Sequence, residues 1–181
     1  MNKVWWTLGL CAGLSLAACG EPGDDGDGNG NETSVCSGSY TGAVTGRVRF
    51  CSLEATKLSN GELQYSLQVE PESGSGTIEE SHTLSVFVTG EPQKGTYDTT
   101  INQAIGTLVA TDGNEYSLQR GLGEDHGSVL LTVDSVPAGQ DVGAGVLYEG
   151  FGGKAQLKYV APPGSSYTGE VNLTLTFTPQ Q

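Results

Sequence analysis

From residue 62 onward the apolar residues recur at every second position, not at every third or fourth. In an extended chain Leu63, Tyr65, Leu67 and Val69 point one way. Glu62, Gln64, Ser66, Gln68 and Glu70 point the other. Leu84, Val86 and Val88 repeat the pattern, as do Val129, Leu131 and Val133. Its clearest form is Val171, Leu173, Leu175 and Phe177 set against Thr174 and Thr176. A period of two marks strands with one apolar face and one wet face. Residues 44–50, 105–111, 115–118, 146–151 and 155–160 are further candidate strands. No window carries a sustained 3.6-residue stripe.

Turn chemistry separates these runs. Asn60-Gly61 precedes the strand at Leu63, and Asp112-Gly113 fits a tight hairpin. Gly90-Glu91-Pro92 and Pro162-Pro163-Gly164 break other runs. Glycine makes up 28 of the 181 residues, about twice its usual share. Eight or nine short strands with frequent turns predict an all-β domain over 36–181. Uneven strand and loop lengths favour an antiparallel β-sandwich, Ig-like or jelly-roll-like, with a small closed barrel as the alternative. A transmembrane barrel fits less well, because the strands are short and many outward positions are polar or charged.

The first twenty residues read as an address. Lys3 precedes an uncharged stretch over 4–18. Fifteen helical residues span about 22 Å, short of a bilayer core of about 30 Å. A positive start, an apolar middle and a small-residue end make a secretory signal. That end is Leu16-Ala17-Ala18-Cys19. It resembles the lipobox of bacterial lipoproteins at all four positions. The resemblance implies cleavage before Cys19, a lipid on its sulfur and acylation of the new amino terminus. The segments are then a signal peptide over 1–18, a lipidated cysteine and tether over 19–35, and the β-domain. An aspartate after the cysteine often retains such proteins at the inner membrane. Gly20 stands there, which implies the outer membrane, on its periplasmic face or at the cell surface.

Residues 20–35, GEPGDDGDGNGNETSV, hold five glycines, five acids and no base. Such a segment buries too little apolar surface to offset its ordering entropy and is expected to stay disordered. Sixteen glycine-rich residues reach about 22 Å, and self-repulsion lengthens that. Asp25, Asp27 and Asn29 reproduce the start of a calcium loop, with Gly30 at the sixth position. The twelfth position should be a bidentate glutamate but is Cys36, so an acidic spacer is the simpler reading and no metal site is assigned.

With Cys11 removed and Cys19 lipidated, two thiols remain, Cys36 and Cys51. In an exported protein they are expected to form a disulfide. Fifteen residues extended would span about 50 Å, while bridged Cα atoms lie within about 7 Å. The chain must therefore reverse between them, near Gly42 or Gly46.

Acids outnumber bases 21 to 8, giving −13. That balance argues against a nucleic-acid binder, which needs a basic face. No H-E-x-x-H, G-x-S-x-G or phosphate-loop motif occurs. Gly150-Phe151-Gly152-Gly153-Lys154 lacks the Ser or Thr of a Walker loop and reads as a turn. Two acidic histidine clusters stand out, Glu79-Glu80-Ser81-His82 and Glu124-Asp125-His126. Meeting in space, they could ligate zinc or pair a base with its orienter. Adjacent strand residues face opposite ways, so solvated loops account for them better. The tyrosines are scattered, among them Tyr40, Tyr97, Tyr116, Tyr148, Tyr159 and Tyr167. They read as half-buried walls before they read as a sugar-stacking platform. No catalytic residue and no cofactor is assigned. The expected function is that of a lipid-anchored cell-envelope protein with a non-enzymatic binding or structural β-domain. Its expected partners are the membrane, through the anchor, and an envelope protein or polysaccharide. A polysaccharide-binding or adhesive module is the alternative. A metal-dependent hydrolase and a lipocalin-like carrier fit less well.

Overall fold

The computed structural model describes residues 36–72, 78, 81–98 and 101–179. Cys19, the lipobox and the tether with Asp25, Asp27 and Asn29 lie outside the described residues. So do Glu79 and Glu80 of the first histidine cluster.

The described residues form strands and connecting turns. In chain order the strands are β1 (Cys36–Gly42), β2 (Gly46–Leu58), β3 (Glu62–Pro71), β4 (His82–Thr89), β5 (Gly95–Tyr97) and β6 (Gln103–Val109). They continue as β7 (Glu115–Arg120), β8 (Ser128–Ser135), β9 (Gln140–Asp141), β10 (Gly145–Glu149), β11 (Gly152–Val160) and β12 (Glu170–Phe177). The order β1-β12-β11-β7-β6-β4-β3-β2 returns to β1, making a closed eight-stranded antiparallel barrel with extra strands attached.

The domain is all-β, and of the two architectures read from the sequence the small closed barrel is the one formed. The sandwich fails at β1. Its sequence CSGSYTG buries only Cys36 and Tyr40, too sparse an alternation to announce a strand. Yet β1 pairs with β12 over its whole length, from Cys36↔Phe177 to Gly42↔Val171. It also meets β2 at Ser39↔Arg47 and Tyr40↔Gly46. Full closure leaves no sheet edge along the circuit.

Strand β2 serves two neighbours on one side. Its first residues face β1, and its last five, Glu54–Leu58, pair with β10. A register shift between Val48 and Phe50 against β3 marks a bulge. The bulge puts Cys51, Leu53 and Ala55 inward and leaves Phe50 40% exposed. The Cys36–Cys51 disulfide spans this seam, with Cα atoms 5.4 Å apart. The reversal it requires falls at residues 43–45, between Gly42 (φ 105) and Gly46.

The alternating residues fill the barrel. Leu63, Leu67, Leu84, Leu131, Leu173 and Leu175 are each fully buried. Each such side chain contributes roughly 1.5–3 kcal/mol relative to exposure. Towards the end where β11 begins, Tyr65 packs against Tyr97 and Phe151, with ring centroids 5.4 and 5.6 Å apart. Towards the other end, Tyr40 and Tyr159 flank His82 at 5.8 and 6.0 Å. Apolar side chains point in and polar ones out, the reverse of the lipid-facing band of a transmembrane barrel. Among the described residues no helix is long and apolar enough to cross a membrane.

Candidate functional site

The two histidines stand on opposite sides of the barrel wall. His82 opens β4, pairs with Val69 and points inward with 8% of its surface exposed. This corrects the expectation of a solvated loop. His82 shares the parity of Leu84, Val86 and Val88, so the strand that buries them buries it. Its neighbours Tyr40 and Tyr159 are 2% and 0% exposed, and burial pushes both phenols well above the usual tyrosine range. Gly106 on β6 makes room for this group. A Cβ there would lie 2.8 Å from Leu84 Cδ1 and 3.3 Å from the Tyr159 hydroxyl.

His126 lies on the outer wall, in the turn between β7 and β8. Gly121 (φ 73) and Gly123 (φ 120) allow that turn to fold tightly. The Asp125 carboxylate accepts the Gly121 N–H at 2.8 Å and pins it. His126 and Gln119 exchange both backbone hydrogen bonds, each 2.9 Å. The imidazole therefore emerges beside β7, diagonal to Ser117, whose side chain shares the outward parity of Gln119.

The resulting geometry defines a tautomer. His126 Nδ1 lies 2.8 Å from the Glu124 carbonyl oxygen, and Nε2 lies 2.8 Å from Ser117 Oγ. A carbonyl only accepts, so Nδ1 carries the proton. In the neutral ring Nε2 then presents its lone pair, and the Ser117 hydroxyl donates to it. Both side chains are half-buried. Ser117 faces Val160 across the single β7–β11 pairing. The sequence grouped Glu124, Asp125 and His126 by adjacency. The structure gives His126 a backbone carbonyl in place of a carboxylate, and a serine nine residues away that the reading missed. The available signal was the glycine-rich turn, which folds 126 back onto the strand containing 117.

Two shallow sites on the outer surface lie close to these strands. A groove of about 400 Å³ crosses β8, β11 and β12, lined among others by Asp98, Ser128, Gln156, Lys158, Asn172 and Thr174. Lys158 is ion-paired with Glu170 and, with Asn172, holds that carboxyl below its usual range. A smaller opening of about 250 Å³ lies at the β2 seam, beside Phe50, Phe151 and Phe177. Among the described residues no group of three or more His, Cys, Asp or Glu side chains is placed to hold a metal ion.

The tyrosines do not form a platform. Tyr40, Tyr65, Tyr97, Tyr116 and Tyr159 are buried, and Tyr148 and Tyr167 are half-buried. Tyr167 instead braces the barrel, its hydroxyl accepting the Glu115 N–H at 2.8 Å and donating to the Glu115 carbonyl. No family model, no curated protein and no solved structure matches this chain.

Proposed function

We propose that this chain is a lipid-anchored cell-envelope lipoprotein whose closed barrel has a non-enzymatic binding or structural role. The Cys36–Cys51 disulfide carries the reading. Disulfides persist in oxidising compartments outside the cytosol, so a bridge at the very start of the domain supports export. The lipobox-like Leu16-Ala17-Ala18-Cys19 supports the anchor, and Gly20 supports the outer membrane as its place. Several acyl chains together hold a protein at a bilayer where one alone binds reversibly. The acidic tether over 20–35 keeps the barrel clear of an anionic surface.

Labelling with a clickable palmitate analogue in a bacterial host tests this. The wild-type chain is expected to take up the label and to sediment with outer membranes, and Cys19→Ser to do neither. An unlabelled, uncleaved wild-type chain in the cytosol would overturn the reading.

A second reading, polysaccharide binding, is favoured by the groove over β8, β11 and β12. Its hydroxyl, amide and charged groups match the hydrogen-bonding needs of sugar hydroxyls. A glycan array probed with the full chain and with Gln156→Ala/Asn172→Ala tests it. Glycan signal that ignores the double substitution would remove this reading.

A further inference from the structure

We infer that Ser117 is an acylation site, with His126 as its general base. The inference goes beyond the anchoring role and stands on geometry independent of it. Three features converge. The Ser117 hydroxyl donates to Nε2 at 2.8 Å, so the proton to be removed already points at the base. The Glu124 carbonyl accepts from Nδ1 at 2.8 Å and keeps the imidazole in the one tautomer that can act on Ser117. The turn is braced by the Asp125–Gly121 contact and by the paired Gln119–His126 backbone bonds, so the ring is held before any substrate arrives.

Ser117 stands half-buried on the outer wall of the barrel. The reaction is simple acyl transfer. Oγ forms a bond to the carbonyl carbon of an activated ester, and the bond from that carbon to the leaving oxygen breaks. The serine proton passes to His126 Nε2 and from there to the departing alkoxide. The Glu124 carbonyl dipole supports the imidazolium while it exists. The substrate class is a small activated acyl ester, because the site is an open wall and not a deep cleft.

The full-length chain, incubated with 4-nitrophenyl acetate and mapped by peptide mass spectrometry, tests this. Ser117 is expected to carry an acetyl group at a rate about 100-fold or more above that of the other serines. His126→Gln is expected to remove that advantage, with Ser117→Ala as the site control. Circular dichroism and the intact Cys36–Cys51 bridge establish that each variant is folded. If His126→Gln misfolds, His126→Asn and the wild-type site map decide. Acetyl groups on lysines alone, Ser117 labelled no faster than the other serines, or Ser117 labelling unchanged in folded His126→Gln would each overturn the inference.

Discussion

The hydroxyl of Tyr65 donates to the hydroxyl of Tyr97 at 3.1 Å within the barrel. Tyr97 in turn donates to the Gln93 carbonyl at 2.8 Å and accepts the Gln93 N–H at 3.1 Å. One phenol thus satisfies three groups. Tyr97→Phe strands all of them and is expected to cost about 1–3 kcal/mol in urea denaturation. Tyr65→Phe removes a single donor from a partner that keeps its other two bonds, and is expected to cost less. Equal losses for the two variants would show that the Gln93 bonds carry no weight.

The disulfide closes a loop of 15 residues at the seam where β1 and β2 share only two paired positions. Loop-closure entropy makes such a bridge worth about 3 kcal/mol. Reduction, or Cys36→Ala/Cys51→Ala, is expected to lower the unfolding free energy by that order. Protease sensitivity is expected to appear first near β1. A reduced chain as stable as the oxidised one would mean that the β1–β12 ladder alone secures the seam.

Two glycines inside the wall predict different penalties. A Cβ at Gly106 meets the tip of Leu84, which can turn aside, and Tyr159, which has little room to do so. Gly106→Ala is expected to cost about 1–3 kcal/mol by overpacking. At Gly153 the same atom would lie 2.1 Å from the Thr132 carbonyl oxygen, which belongs to the β8 backbone and cannot step aside. Gly153→Ala is therefore expected to be the more damaging, and thermal melts of the two variants rank them directly.

Burial pushes the ionisation of Tyr40, Tyr65 and Tyr159 to higher pH in the folded state. A tyrosine raised in this way adds stability that is complete below its unfolded value of about 10 and fades as pH climbs towards the folded one. Stability is thus expected to fall steadily above about pH 10. Phenolate absorbance from these three residues should emerge only with unfolding. Ionisation of all seven tyrosines in a still-folded barrel would contradict the burial.

The alternation of Leu63–Val69 and Val171–Phe177 made the strands readable, because a half-buried strand writes its parity into the chain. The bulge in β2 interrupts that parity, so the expected strand over 44–50 grew into one of 13 residues that runs past Cys51. Short β5 and β9 and the glycine-rich β1 carry too few apolar residues to show a period. Closure was the hardest feature to read, since pairing across 141 positions from Cys36 to Phe177 leaves no local mark. At the outer wall His126 was visible as a residue of interest. Its partner Ser117 was not, because only the fold of the intervening turn brings the two together.

The ladder between β1 and β12 joins the beginning of the domain to its end. A chain synthesised amino terminus first must therefore hold β1 waiting until β12 arrives. Oxidation of Cys36 with Cys51 needs only the first sixteen residues of the domain, so the staple can be set long before the staves meet. Loss of the final strand would leave β1 and β11 with bare margins and make truncated products prone to pairing with one another.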